Sequence, residues 1–87
     1  MSIHSAPYSV IIDALTEARK SKPLKQSELA DMWQKTQPTI TKIEQRERRL
    51  DVQEFLELCV LLDLDPADLI RKAHNVLKTE MIKGASR

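Results

Sequence analysis

Apolar positions recur at three- and four-residue spacing in five stretches of this chain, and four of the five have a start or stop signal at an end. The first runs from about Pro7 to Ser21, with Ser5 as N-cap, Pro7 in the first turn, and Ile11, Leu15 and Ala18 on one face. Lys22-Pro23 ends it, because proline disfavours helix at the residue before it. A short helix follows over 26–33, with Leu29, Ala30 and Trp33 facing inward. The third starts after Thr36, an N-cap, tolerates Pro38 in its first turn, and buries Ile40 and Ile43. Asp51 followed by Glu54 forms a capping-box pattern ahead of Phe55, Leu56, Leu58, Cys59 and Leu62, apolar on most sides, which makes this the central helix. Asp65-Pro66-Ala67-Asp68 opens the fifth, whose apolar face carries Leu69, Ile70, Ala73, Val76 and Leu77 to about Met81. Residues 1–6 read as an N-terminal arm, 7–81 as the domain, and 82–87 as a flexible tail, frayed from Gly84.

Composition narrows this all-α reading. With 87 residues the chain forms a single domain that buries about 60–65% of its unfolded surface. One glycine and three aromatics, Tyr8, Trp33 and Phe55, argue against a β-rich fold. The apolar run at Val60-Leu61-Leu62 is far too short to span a bilayer, and no secretory signal opens the chain. A lone Cys59 in an apolar helical pattern forms no disulfide framework, so a cytoplasmic protein is expected.

The net charge of +1 conceals strong blocks. Residues 1–18 carry −2; residues 19–49 have nine bases and four acids, +5; residues 50–70 have six acids and no base, −6; residues 71–87 have five bases and one acid, +4. A polyanion is therefore expected to meet the middle of the chain rather than its whole surface.

That basic block contains two short helices, 26–33 and 37–45, joined by three or four residues, the second opening on small polar side chains. A helix-turn-helix requires this: the first helix fixes the angle of the second, whose N-terminal side chains meet base edges in the major groove. The stretch Leu24-Lys25-Gln26-Ser27-Glu28-Leu29-Ala30, then Thr36-Gln37-Pro38-Thr39-Ile40-Thr41-Lys42-Ile43-Glu44, closely resembles the phage-repressor-like (Cro/cI-type, XRE) helix-turn-helix family. Arg48-Arg49-Leu50-Asp51 and Leu62-Asp63-Leu64-Asp65-Pro66 also look like that family's bacterial regulators, so the likeness covers about residues 8–72.

The resemblance implies a compact five-helix, lambda-repressor-like domain that binds double-stranded DNA. It places Gln26 at a phosphate, beside free helical N–H groups. Gln37 falls at the base-reading position, where a Gln can pair bidentately with adenine. Pro38, Thr39, Thr41 and Lys42 are the next groove-facing positions, Pro38 standing where a DNA-contacting residue is usual. Lys35, Thr36, Gln45, Arg46 and Arg48 flank them as phosphate contacts. Arg19 and Glu44 match a structural ion pair between the first and third helices. Two departures stand out: Gln34 and Arg46 occupy positions that are usually glycine. Either these residues take a left-handed conformation at about 1–2 kcal/mol of strain, or the third helix runs on past Glu44.

Other residues have plainer readings. Trp33 packs in the core rather than stacking on bases, and Cys59 is a buried small hydrophobe. His4 and His74 lack metal-ligand spacing, and no catalytic motif or cofactor loop is present, so neither an enzyme nor a cofactor is expected. A regulator of this type is expected to act as a homodimer on a palindrome, as a repressor, with Leu61, Leu64, Leu69, Val76, Leu77 and Met81 in the dimer interface. The alternative of a different class is an antitoxin or adaptor that uses the same fold chiefly to bind a protein partner.

Overall fold

A computed structural model of the chain describes residues 4–85. The described residues form α1 (Ala6–Ser21), α2 (Gln26–Trp33), α3 (Gln37–Glu44), α4 (Val52–Leu62) and α5 (Pro66–Ala85), with no strand among them. Met1–Ile3 of the expected arm and Ser86–Arg87 of the expected tail lie outside the described residues.

Local chemistry explains the helix starts. The Ser5 hydroxyl accepts from the Tyr8 N–H at 3.4 Å, and Pro7 sits in the first turn, where no N–H is needed. Asp51 and Glu54 close a reciprocal box: the Glu54 N–H donates to Asp51 at 2.8 Å and the Asp51 N–H to Glu54 at 3.0 Å. Asp65 accepts from the Ala67 N–H at 3.0 Å. At α2 the Lys25 N–H donates to Glu28 at 2.8 Å.

Three helices end in the same way, and without glycine. After α2, α3 and α4 the residues Gln34, Arg46 and Asp63 have φ of 58°, 61° and 57°. In each case the next N–H reaches back across the last turn: Lys35 to the Ala30 carbonyl at 2.9 Å, Glu47 to Lys42 at 2.8 Å, and Leu64 to Cys59 at 2.9 Å. These bonds satisfy carbonyls that a helix end otherwise leaves open. Of the two alternatives at Arg46, the structure adopts the left-handed one, with α3 stopping at Glu44.

The core lies where the faces of α1, α2, α3 and α4 converge. Ile12, Ile40, Leu62 and Cys59 are its most deeply buried members, and Trp33 and Phe55 close it. On α1 the buried face is Ile12, Leu15 and Arg19, one position round from the expected Ile11, Leu15 and Ala18, with Ile11 and Ala18 packed beside it. The shift brings a long polar side chain inward, which apolar periodicity alone does not anticipate. Leu56 turns outward and is exposed, so α4 is buried on one side rather than on most sides.

Helix α5 packs along α1 and departs from expectation twice. Leu69, expected at a dimer surface, is 4% exposed and belongs to the core, in one buried cluster with Leu58 and Leu62 just after the α4–α5 turn. Leu61 and Leu64 are half-buried against the same cluster, leaving less of their surface for a partner. The helix also continues through Ile82, Lys83 and Gly84 to Ala85, where a flexible tail is expected from residue 82 and fraying from Gly84. No strong breaker occurs before Gly84, and one helical glycine costs only about 1 kcal/mol.

Candidate nucleic-acid interface

Three residues, Gln34 to Thr36, connect α2 and α3, and the left-handed Gln34 turns the chain sharply enough to start α3 at once. Thr36 has the extended backbone of an N-cap, but its hydroxyl pairs with that of Thr39 at 3.1 Å instead of capping the helix. Ile40 and Ile43 anchor α3 in the core. The opposite side faces outward: Lys35, Thr36, Gln37, Pro38, Lys42 and Gln45 are exposed, and Thr39 and Thr41 are half-buried. Rows four residues apart, Gln37–Thr41–Gln45 and Pro38–Lys42, share this outer face.

A buried polar network fixes the face. Arg19 donates through Nε to one oxygen of Glu44 at 2.6 Å and through Nη2 to the other at 2.9 Å, while Nη1 reaches the Leu24 carbonyl at 2.7 Å. The two side chains are 10% and 13% exposed. Glu44 also accepts from the Gln26 amide nitrogen at 2.9 Å. With its NH2 committed to a carboxylate, Gln26 presents its amide oxygen to the Thr41 hydroxyl, which donates to it at 2.7 Å. The Thr41 oxygen also lies 3.2 Å from the Gln37 carbonyl. Arg19, Gln26, Thr41 and Glu44 therefore form one chain of hydrogen bonds that clamps α1, α2 and α3 at a fixed angle.

The flanking bases divide into two groups. Arg46 pairs with Asp13 of α1, and Arg48 pairs with Glu54 of α4 at 2.7 Å. Hydrogen bonding to Arg48, then to the Asp51 N–H, holds the Glu54 carboxyl below the usual range, and Glu54 in turn raises Arg48. Lys35 lies over the Trp33 ring, 5.4 Å from its centroid. Lys42 and Gln45 are exposed on the outer face of α3 and its end.

Several partners were not foreseen from sequence. Asp13, 33 residues from Arg46, gives no local signal for that pairing. The Tyr8 hydroxyl accepts from the Leu50 N–H at 3.1 Å, tying the α3–α4 loop to α1. Trp33 is buried as expected, but its indole N–H also donates to Glu57 at 2.9 Å, and that bond holds the Glu57 carboxyl below its ordinary value. Burial pushes the Cys59 thiol upward, as an inert core sulfur requires. Among the described residues, no three His, Cys, Asp or Glu side chains come together as a metal site. No described helix is long and apolar enough to cross a membrane.

Two short helices locked at a fixed angle, the second exposing small polar and basic groups beyond a buried face, define a helix-turn-helix within a lambda-repressor-like fold. The helix-turn-helix family model HTH_3 matches residues 15–69, well over half of the chain, and the chain belongs to this family of Cro/cI-type DNA-binding regulators. Among curated proteins, none matches the sequence.

Proposed function

We propose that the chain is a sequence-specific transcriptional repressor that binds a palindromic operator as a homodimer, laying α3 in the major groove. The observation that carries this reading is the buried Arg19–Glu44–Gln26–Thr41 network beneath an exposed Gln37 and Lys42. A base-reading helix needs rigid seating, because bidentate readout tolerates little error in angle. Gln37 takes the adenine-reading role and Lys42 that of a guanine contact, each with about 1–3 kcal/mol of discrimination. Thr39 lies beside them, and Pro38 shapes the helix start without a hydrogen bond of its own.

The phosphate contacts are Lys35, Thr36 and Gln45, joined by Gln26 through the amide hydrogen its network leaves over. Arg46 and Arg48 reach phosphate only by exchanging Asp13 and Glu54, so their contribution is smaller than that of a free cation. Thr41 acts chiefly as a positioning residue, since its hydroxyl proton is committed inside the protein.

Selection from a random duplex pool tests the whole reading. The expected winner is an inverted repeat whose half-sites lie about 34 Å apart, one helical turn. Enrichment of an unrepeated motif would contradict the homodimer, and no enrichment would contradict sequence-specific binding.

A further inference from the structure

Three polar bonds join α1 to the end of α3 and the segment after it, and they run in antiparallel order. Arg19 holds Glu44, Asp13 holds Arg46, and the Tyr8 hydroxyl accepts from the Leu50 N–H. Each step toward the start of α1 moves the partner onward, from the last residue of α3 to the residue before the α4 N-cap. The first bond belongs to the network that seats α3. The second calls for its own account, because Arg46 stands at a position that is usually glycine in this family. Its φ of 61° is a conformation that glycine adopts without strain.

The side chain that replaces glycine is turned inward. It is 24% exposed, its Nη2 donates to Asp13, and its Nε is buried with no hydrogen-bond partner among the described residues. A phosphate contact needs a guanidinium that presents its donors to solvent; this one is engaged with α1 instead. Lys42 and Gln45, by contrast, are exposed. Such a tie matters because α3 has eight residues, too few for a helix that holds its shape unaided in water. Gln26 grips it at Thr41 and Arg19 at Glu44, and Arg46 adds a third hold just past its end.

We propose that Arg46 is a positioning residue: paired with Asp13 across 33 residues, it clasps the end of α3 to α1 and sets the angle at which α3 meets base edges, without touching DNA itself. This role rests on the reading of α3 as the base-reading helix, and it takes Arg46 out of the phosphate contacts. The two roles exclude each other, since a guanidinium that leaves Asp13 for a phosphate opens the clasp. They also answer differently when the two charges are exchanged. A clasp works whichever side carries the positive charge; a phosphate contact fails once an acid stands at position 46. The Asp13 side chain is 68% exposed, and a pair this open adds little to global stability, so its loss should show in DNA reading rather than in unfolding.

Anisotropy titrations of the full chain test it, with the duplex enriched from the random pool and a scrambled duplex of the same composition. The variants are Arg46→Asp, Asp13→Arg, the double exchange, and Arg46→Gly. Asp suits position 46 because it enters the left-handed region more readily than most residues, as Asp63 does here. Preference for the enriched duplex is the readout, since a change of net charge shifts both duplexes together. Each single reversal should cut that preference about tenfold, the worth of one well-aligned base contact, and the double exchange should restore it to near the wild-type level. Arg46→Gly should lose preference too, while its urea midpoint does not fall and its salt slope stays at the wild-type value. A double exchange no better than Arg46→Asp, or an Arg46→Gly variant with full preference, overturns the clasp. A salt slope lower by about one in Arg46→Gly also overturns it and returns Arg46 to the phosphate contacts. Circular dichroism checks folding, and Arg46→Gly with Asp13→Asn decides the matter if a reversed charge prevents it. A wild-type chain without preference for any duplex is the failure of base reading itself; a preference that these changes leave intact is the failure of the clasp alone.

Discussion

Arg19 uses three nitrogens on three acceptors, two oxygens of Glu44 and the Leu24 carbonyl, in a setting with little water. A buried pair of this kind contributes little net stability against an apolar substitute, but removing one partner leaves the other charged and unpaired. Glu44→Ala and Arg19→Ala are each expected to lose about 3–5 kcal/mol in urea unfolding. Thr41→Val keeps the shape but removes the donor to Gln26; it should lower DNA affinity more than it lowers stability. The left-handed residues predict the opposite direction. Gln34→Gly and Asp63→Gly relieve backbone strain of about 1 kcal/mol, partly offset by glycine entropy, so the urea midpoint should rise slightly with an unchanged m-value. Arg46→Gly also breaks the Asp13 pair and should gain less.

At the scale of elements, helix starts and the turn are where local chemistry shows most clearly. The Asp51–Glu54 box joins a cap to an ion pair, because Glu54 also holds Arg48. Asp51→Ala should cost about 1 kcal/mol. Glu54, held low chiefly by Arg48, and Glu57, held low chiefly by Trp33, give the fold a pH dependence. A carboxyl whose pKa falls on folding stabilises the fold above its unfolded value and loses that contribution as pH falls through the folded one. Stability should therefore decline as pH drops below the ordinary Glu value of 4.5, and Glu54→Gln should flatten that decline. Emission from Trp33, the chain's single tryptophan, follows both experiments.

These elements also show what a sequence can reveal. Ser5, Asp51 and Asp65 act on neighbours two or three residues away, so their caps are readable from local order alone. The pair between Arg19 and Glu44 spans 25 residues and is legible only through family resemblance. Asp13 with Arg46, Tyr8 with Leu50, and Glu57 with Trp33 are set by tertiary packing and leave no periodic trace. The left-handed Asp63 leaves no sequence signal, because Asp at that position reads equally well as a polar loop residue. The burial of Leu69 in the core is hidden for a related reason: helical periodicity identifies an apolar face but not what covers it.

At the scale of the whole molecule, an almost neutral chain divides into a basic middle, an acidic fourth helix and a basic end. The basic middle contains the helix-turn-helix, while the acidic and basic blocks that follow it meet within α5, where Asp68 pairs with Arg71 and Lys72. Duplex binding should accordingly depend on salt through the phosphate contacts and on sequence through Gln37 and Lys42. Lys35→Ala should weaken binding to all duplexes alike and lower the salt slope by about one.

Fluorescence anisotropy with the DNA upstream of the chain's own gene, against a scrambled duplex at two salt concentrations, tests whether α3 reads bases. Tight, salt-sensitive binding that prefers the native sequence is expected, with Gln37→Ala and Lys42→Ala each reducing that preference by about 1–3 kcal/mol. Sequence preference that survives both substitutions would contradict it, because base reading would then not reside on the outer face of α3.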